Sequence, residues 1–176
     1  MSDVTRKVIT FIIIMLVAIA AIVGCVYVFT EFSHESSREK SISVITSDLS
    51  AAQINKEVIE KMGYEGISEL DSGDISGHID VPKDNVTQSS IYISDSSSSA
   101  TELACFKLKD PDDNSAILEA ISIHISSKLK GFSQSPKESE LIKNYVTETS
   151  NGYVFMVISD NADATAKTFR DVVEND

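Results

Sequence analysis

The sequence predicts an α+β protein: an N-terminal transmembrane helix, then a small antiparallel sheet of about four strands packed with helices. Three observations carry this expectation. Residues 8–30 form an apolar run without a charge. Two pairs of β-type segments, 90–94 with 101–109 and 145–149 with 153–159, are each joined by a short connection, which favours antiparallel pairing. Helical patterns stand before, between and after these pairs instead of alternating with single strands, the pattern of a segregated helix layer.

The apolar run VITFIIIMLVAIAAIVGCVYVFT spans ~34 Å as a helix, against about 30 Å of hydrocarbon. A helix satisfies every backbone polar group inside the segment, which lipid requires. Tyr27 and Phe29 stand at the interfacial end. Arg6 and Lys7 precede the run. Glu31, Glu35 and Glu39 follow it, with Arg38 and Lys40 further out. The positive-inside rule then places residues 1–7 in the cytoplasm and the C-terminal part outside, as a single-pass protein of the cell membrane. Two readings compete. Ile22-Val23-Gly24-Cys25 fits a lipobox, which would make Cys25 a lipidation site and the new N-terminus. Against it, Val26 to Phe29 stay apolar where a lipoprotein turns polar. Simple secretion requires a cleavage site followed by a polar sequence, and the run continues past Ala18–Ala21.

Residues 31–45 read as a polar stalk and 46–176 as an extracytoplasmic domain. Residues 1–30 carry a net +1 from Asp3, Arg6 and Lys7, so the remainder of a chain of net −12 carries −13. A pI near 4.6 argues against nucleic acid as a partner, since phosphate binding needs a basic face. Two cysteines make no disulfide framework, and the absence of tryptophan removes the commonest stacking platform for sugars.

Within the domain, Thr46 to Met62 reads as a helix capped by Thr46 or Ser47. Ala51, Ile54, Val58 and Met62 form its stripe, and Gly63 is its exit. Residues 64–80 read as a loop. Pro82-Lys83-Asp84-Asn85 is turn chemistry. Ser90–Ser94 is a strand, Ser96–Ser99 a serine loop and Thr101–Lys109 a second strand. The latter's Ala104, Phe106 and Leu108 share the face expected to meet the core. Asp110-Pro111-Asp112-Asp113 predicts a helix start, with Asp110 as cap, running to about Lys130 along Ile117, Ile121, Ile125 and Leu129. A shorter helix covers 137–143. Asn151-Gly152 turns a hairpin. Its second strand, YVFMVI at 153–158, is apolar on both faces and so reads as covered on both sides. Asp160 or Asn161 caps a last helix with Ala162, Ala166, Phe169 and Val173 on one side.

Chemistry is sparse in this pattern. His34, His78 and His124 are far apart in sequence, whereas metal ligands commonly recur at short spacing on one element. His78 lies in DSGDISGHID beside Asp71, Asp74 and Asp80, an acidic loop whose oxygens suit Ca²⁺ but which lacks EF-hand spacing. Cys105 is mid-strand and lacks a visible base. No P-loop, dinucleotide fingerprint or nucleophile elbow occurs. Asn85-Val86-Thr87 is a glycosylation sequon, relevant only in a eukaryotic secretory host. No catalytic, cofactor-binding or metal residue is therefore assigned.

The stretch IYISDSSSSATELACFKLKD, the long helix after it and NGYVFMVISDNADA resemble a bacterial family known as domain of unknown function 4358. Tyr92-Ile93-Ser94, Phe106 to Asp110, and Tyr153-Val154-Phe155 with Ile158-Ser159 carry the resemblance, over about residues 80–174. It implies a lipobox or membrane anchor followed by one small external domain, and implies no activity, cofactor or catalytic residue. The expected function is a membrane-anchored, non-enzymatic binding or interaction domain whose partner is an envelope or membrane protein. One alternative is an accessory or sensor subunit of a membrane complex, packed through Ala18, Ala20, Ala21 and Gly24. Another is a lipoprotein lipidated at Cys25, and the last a hydrolase with its site in loops 64–80 and 94–101.

Overall fold

A computed structural model describes residues 49–175. The expected cytoplasmic segment 1–7, the anchor 8–30 with Cys25, and the stalk 31–45 with His34 lie outside the described residues. Among the described residues, no helix is long and apolar enough to cross a membrane.

The first helix, α1 (Ala51–Met62), starts at Ser50. The Ser50 hydroxyl accepts from the Gln53 backbone N–H, and the Gln53 side chain accepts from the Ser50 N–H, a reciprocal box that satisfies two orphan donors. Gly63 ends the helix at φ 68°, with its N–H on the Glu60 carbonyl and that of Tyr64 on the Ile59 carbonyl. The region expected to be loop contains a short strand, β1 (Ile67–Glu69), and a single helical turn, α2 (Ile75–His78). β1 forms because its backbone pairs with the end of β2 (Val86–Ser94), Ile67 opposite Ser94. A polar three-residue strand has no periodicity of its own to announce it.

β2 starts four residues before the expected strand, directly after the 82–85 turn, in which Asn85 N–H meets the Pro82 carbonyl at 3.0 Å. β3 (Glu102–Leu108) follows the serine loop. The acidic run 110–113 makes a turn instead of the expected helix start: Asp110 accepts from the Asp112 N–H, and Asp113 from the N–H and hydroxyl of Ser115. Short acidic side chains bonding their own backbone hold that turn, and α3 runs from Ser115 to Gly131. α4 (Pro136–Lys143), β4 (Val146–Ser150), β5 (Tyr153–Ile158) and α5 (Ala162–Glu174) complete the chain. Asn151 and Gly152, both at positive φ, turn the β4–β5 hairpin as expected.

The sheet therefore has five strands, in the order β1-β2-β3-β5-β4, all antiparallel. Both of its faces are covered. Ala104, Phe106, Val154, Met156 and Ile158 pack with Ile117, Ile121 and Ile125 of α3 and Ile142 of α4. Leu103, Cys105, Tyr153, Phe155 and Val157 pack with Ile54 and Val58 of α1 and Ala166, Phe169 and Val173 of α5. The expectation that only one face of β3 meets the core is thus incomplete: Leu103 and Cys105 are as buried as Ala104, because α1 and α5 close the second face. The both-sided burial expected for 153–158 holds.

Candidate functional site

Strand alternation places Glu102 on the same face of β3 as Ala104, Phe106 and Leu108, the face that α3 covers. Helical spacing places His124 and Lys128, one turn apart, along the stripe that Ile117 and Ile121 bury. The single turn α2 brings His78 over the same spot. A strand carboxylate, two helix side chains and one imidazole from a distant loop thus meet at one end of the sheet.

Glu102 is fully buried, yet every group near it is a donor. His78 Nε2 lies 3.0 Å from Oε1. His124 Nε2 lies 3.0 Å from Oε1 and 3.1 Å from Oε2. Lys128 Nζ reaches Oε2 at 2.5 Å. Burial alone would raise the pKa of this carboxyl. The hydrogen bonds from His124 and His78, with the charge of Lys128, outweigh that effect and hold the group well below the ordinary carboxylate range. A buried anion with three charge-assisted donors is a satisfied one.

His124 is fixed from both ends. Its Nδ1 lies 3.0 Å from the His78 carbonyl, which can only accept, so Nδ1 carries a proton and donates. Nε2 is then the edge presented to Glu102. The two imidazole rings lie 4.9 Å apart between centroids, tilted at 51°. Ligand atoms of His78, Glu102 and His124 all fall within 4.8 Å of one another, so these three side chains could hold a metal ion.

Above them opens a cleft of about 250 Å³, lined by His78, Asp80, Ile123, His124 and Ser127 among others. Ile123 stands out on its rim as a large apolar side chain that is 64% exposed.

The residues singled out in the sequence separate into three groups. His78 and His124 come together although 46 positions divide them, and Asp80 lines the same cleft. Asp71 and Asp74 instead build the turn into α2, where Asp74 N–H meets the Asp71 carbonyl and the Asp74 carbonyl accepts from Gly77 and His78. Cys105 is wholly buried on the opposite face, and burial pushes its thiol up, away from reactivity. The serine loop knits to itself, with Ser96 and Ser98 hydroxyls 2.8 Å apart. Of the two loops named for the hydrolase alternative, the first contains His78 and Asp80 and the second runs into Glu102. Glu102 and Lys128 are the members of the cluster that motif searching misses. The signal was available: a carboxylate on the core face of a strand and a His and Lys on a buried helical stripe must find partners, and they find each other.

A family model described as "Domain of unknown function (DUF4358)" matches residues 60–159. That span contains His78, Glu102, His124 and Lys128 and omits α5. It begins earlier and ends earlier than the stretch in which the resemblance is visible by eye. No curated protein and no solved structure matches the chain.

Proposed function

The chain belongs to the DUF4358 family, and since that family's description names no activity, we propose from the geometry that the domain is a non-enzymatic binding module whose recognition point is the cleft over Glu102. One observation carries the reading: two imidazoles that line an open cleft beside the exposed Ile123 converge on a fully buried carboxylate. A buried carboxylate is a costly feature for a fold to retain, and a buried ion pair is weak evidence of stabilisation. Acid–base catalysis is poorly served by the same arrangement. A carboxyl held ionised far below neutral pH has little capacity to give or take a proton in a reaction.

In this reading, residues 8–30 cross the membrane and tether the module outside the cell, where its partner is an envelope or membrane protein. The charge asymmetry around the apolar run supports that placement, and the mass of the native N-terminus separates the anchor from a chain lipidated at Cys25. The binding claim is tested by placing a photo-crosslinking side chain at Ile123 of the full-length chain in intact membranes, with Lys61 on α1 as control position. A discrete adduct from position 123, absent from position 61 and lost on His124→Gln, is expected. Equal adducts from both positions, or none from 123, would refute the reading.

A further inference from the structure

We propose that His78, Glu102 and His124 form a three-ligand site for a divalent transition ion of the zinc type, with its remaining coordination position open to the cleft. The inference rests on the reading of that cleft as the recognition point and names what it holds first.

The donor set is two imidazole nitrogens and one carboxylate oxygen, the combination that selects zinc and its first-row neighbours over calcium or magnesium. Glu102 Oε1 lies 3.0 Å from Nε2 of both histidines. Ligand atoms about 2.0–2.1 Å from a tetrahedral ion stand roughly 3.3 Å apart, so each Glu102–histidine pair opens by a few tenths of an ångström, while the widest spacing in the trio, within 4.8 Å, closes onto the ion. The supporting contacts are already those of a metal ligand. His124 donates Nδ1–H to the His78 carbonyl, so an ion at Nε2 would take the place of the proton that Nε2 shares with Glu102. Lys128 occupies Oε2 and leaves Oε1 to the ion. The entry path is the cleft itself, where Asp80 adds a negative group, and the net charge of the chain attracts cations. The positive charge of Lys128 opposes the ion, so its removal should tighten binding, whereas a purely structural cluster gains no affinity from that change.

The test is calorimetric titration of Zn²⁺ into chelator-cleared full-length chain in detergent, in a His34→Ala background that removes the third imidazole of the chain. One zinc per chain is expected. His78→Ala, on a partly exposed single turn, should weaken it by more than about 100-fold, beyond what loss of a supporting group costs, and circular dichroism should show the fold kept. Lys128→Met should strengthen binding. X-ray absorption of the zinc-loaded chain should show two imidazoles in the first shell. Zinc binding unchanged by His78→Ala, or an oxygen-only shell, overturns the metal. If zinc fails while the adduct from position 123 persists, the metal is refuted and the cleft remains; if both fail, both are refuted.

Discussion

Glu102 sets the chemistry of the whole site, because a single buried anion organises three cationic or protonatable side chains. Replacing it by Gln keeps the shape but leaves the part-buried Lys128 without its counter-charge, at a cost of up to about 3 kcal/mol. The effect depends on pH with a definite sign. The folded carboxyl titrates below its ordinary value of 4.5, so its ionised form contributes stability above that value and loses it as pH falls from 4.5 toward the lower folded value. Denaturant unfolding of the wild type and Glu102→Gln should therefore show a gap that is widest near neutral pH and narrows on acidification below 4.5. A gap that stays constant would mean that His78, His124 and Lys128 do not hold the carboxylate ionised. The residue scale also shows where sequence reading stops. Parity along β3 and the stripe of α3 were both legible, and together they place Glu102, His124 and Lys128 in one interior. That His78 would close the cluster was not legible, since its arrival depends on the tertiary path of residues 64–80.

At the scale of elements, the strongly periodic segments were readable and the short ones were not. The hairpin at Asn151-Gly152, the double-sided strand after it, and the long helix through Ile117, Ile121 and Ile125 all stand where their patterns put them. The acidic run at 110–113 looked like a helix start because it has the right residues, but those side chains bond within their own turn and the helix waits for Ser115. β1 owes its existence to pairing with β2, a long-range cause that local sequence does not carry. α5 has a separate consequence. It lies beyond the family match, yet Phe169 stacks on Phe155 at 4.7 Å and Ala166 and Val173 help cover the face that holds Leu103 and Cys105. Truncating one such buried aromatic to Ala costs about 3–5 kcal/mol, and a domain holds only about 5–15 in all. Ending the chain at residue 160 should abolish cooperative thermal unfolding, even though the matched span, 60–159, is intact. A sharp transition in that truncated chain would show that the second face does not need its helix.

For the whole molecule, the architecture explains why a polar site can exist at the end of a hydrophobic sheet. Two helix layers bury both faces, and at one end of the sheet a fully buried carboxylate meets the largely buried His124 and Lys128 and the partly exposed His78. The same layers leave His78 partly exposed and Ile123 exposed along the cleft, next to the buried charge. The account holds that this cluster is assembled for binding and not merely for the fold. Ligand linkage tests that most directly, since an ion bound only by the folded state raises its stability. With zinc at about 100 times its dissociation constant, the unfolding free energy of the full-length chain should rise by about 2.7 kcal/mol. The same zinc concentration should leave His78→Ala nearly unchanged. An equal rise in both chains, or no rise in the wild type, would contradict the account.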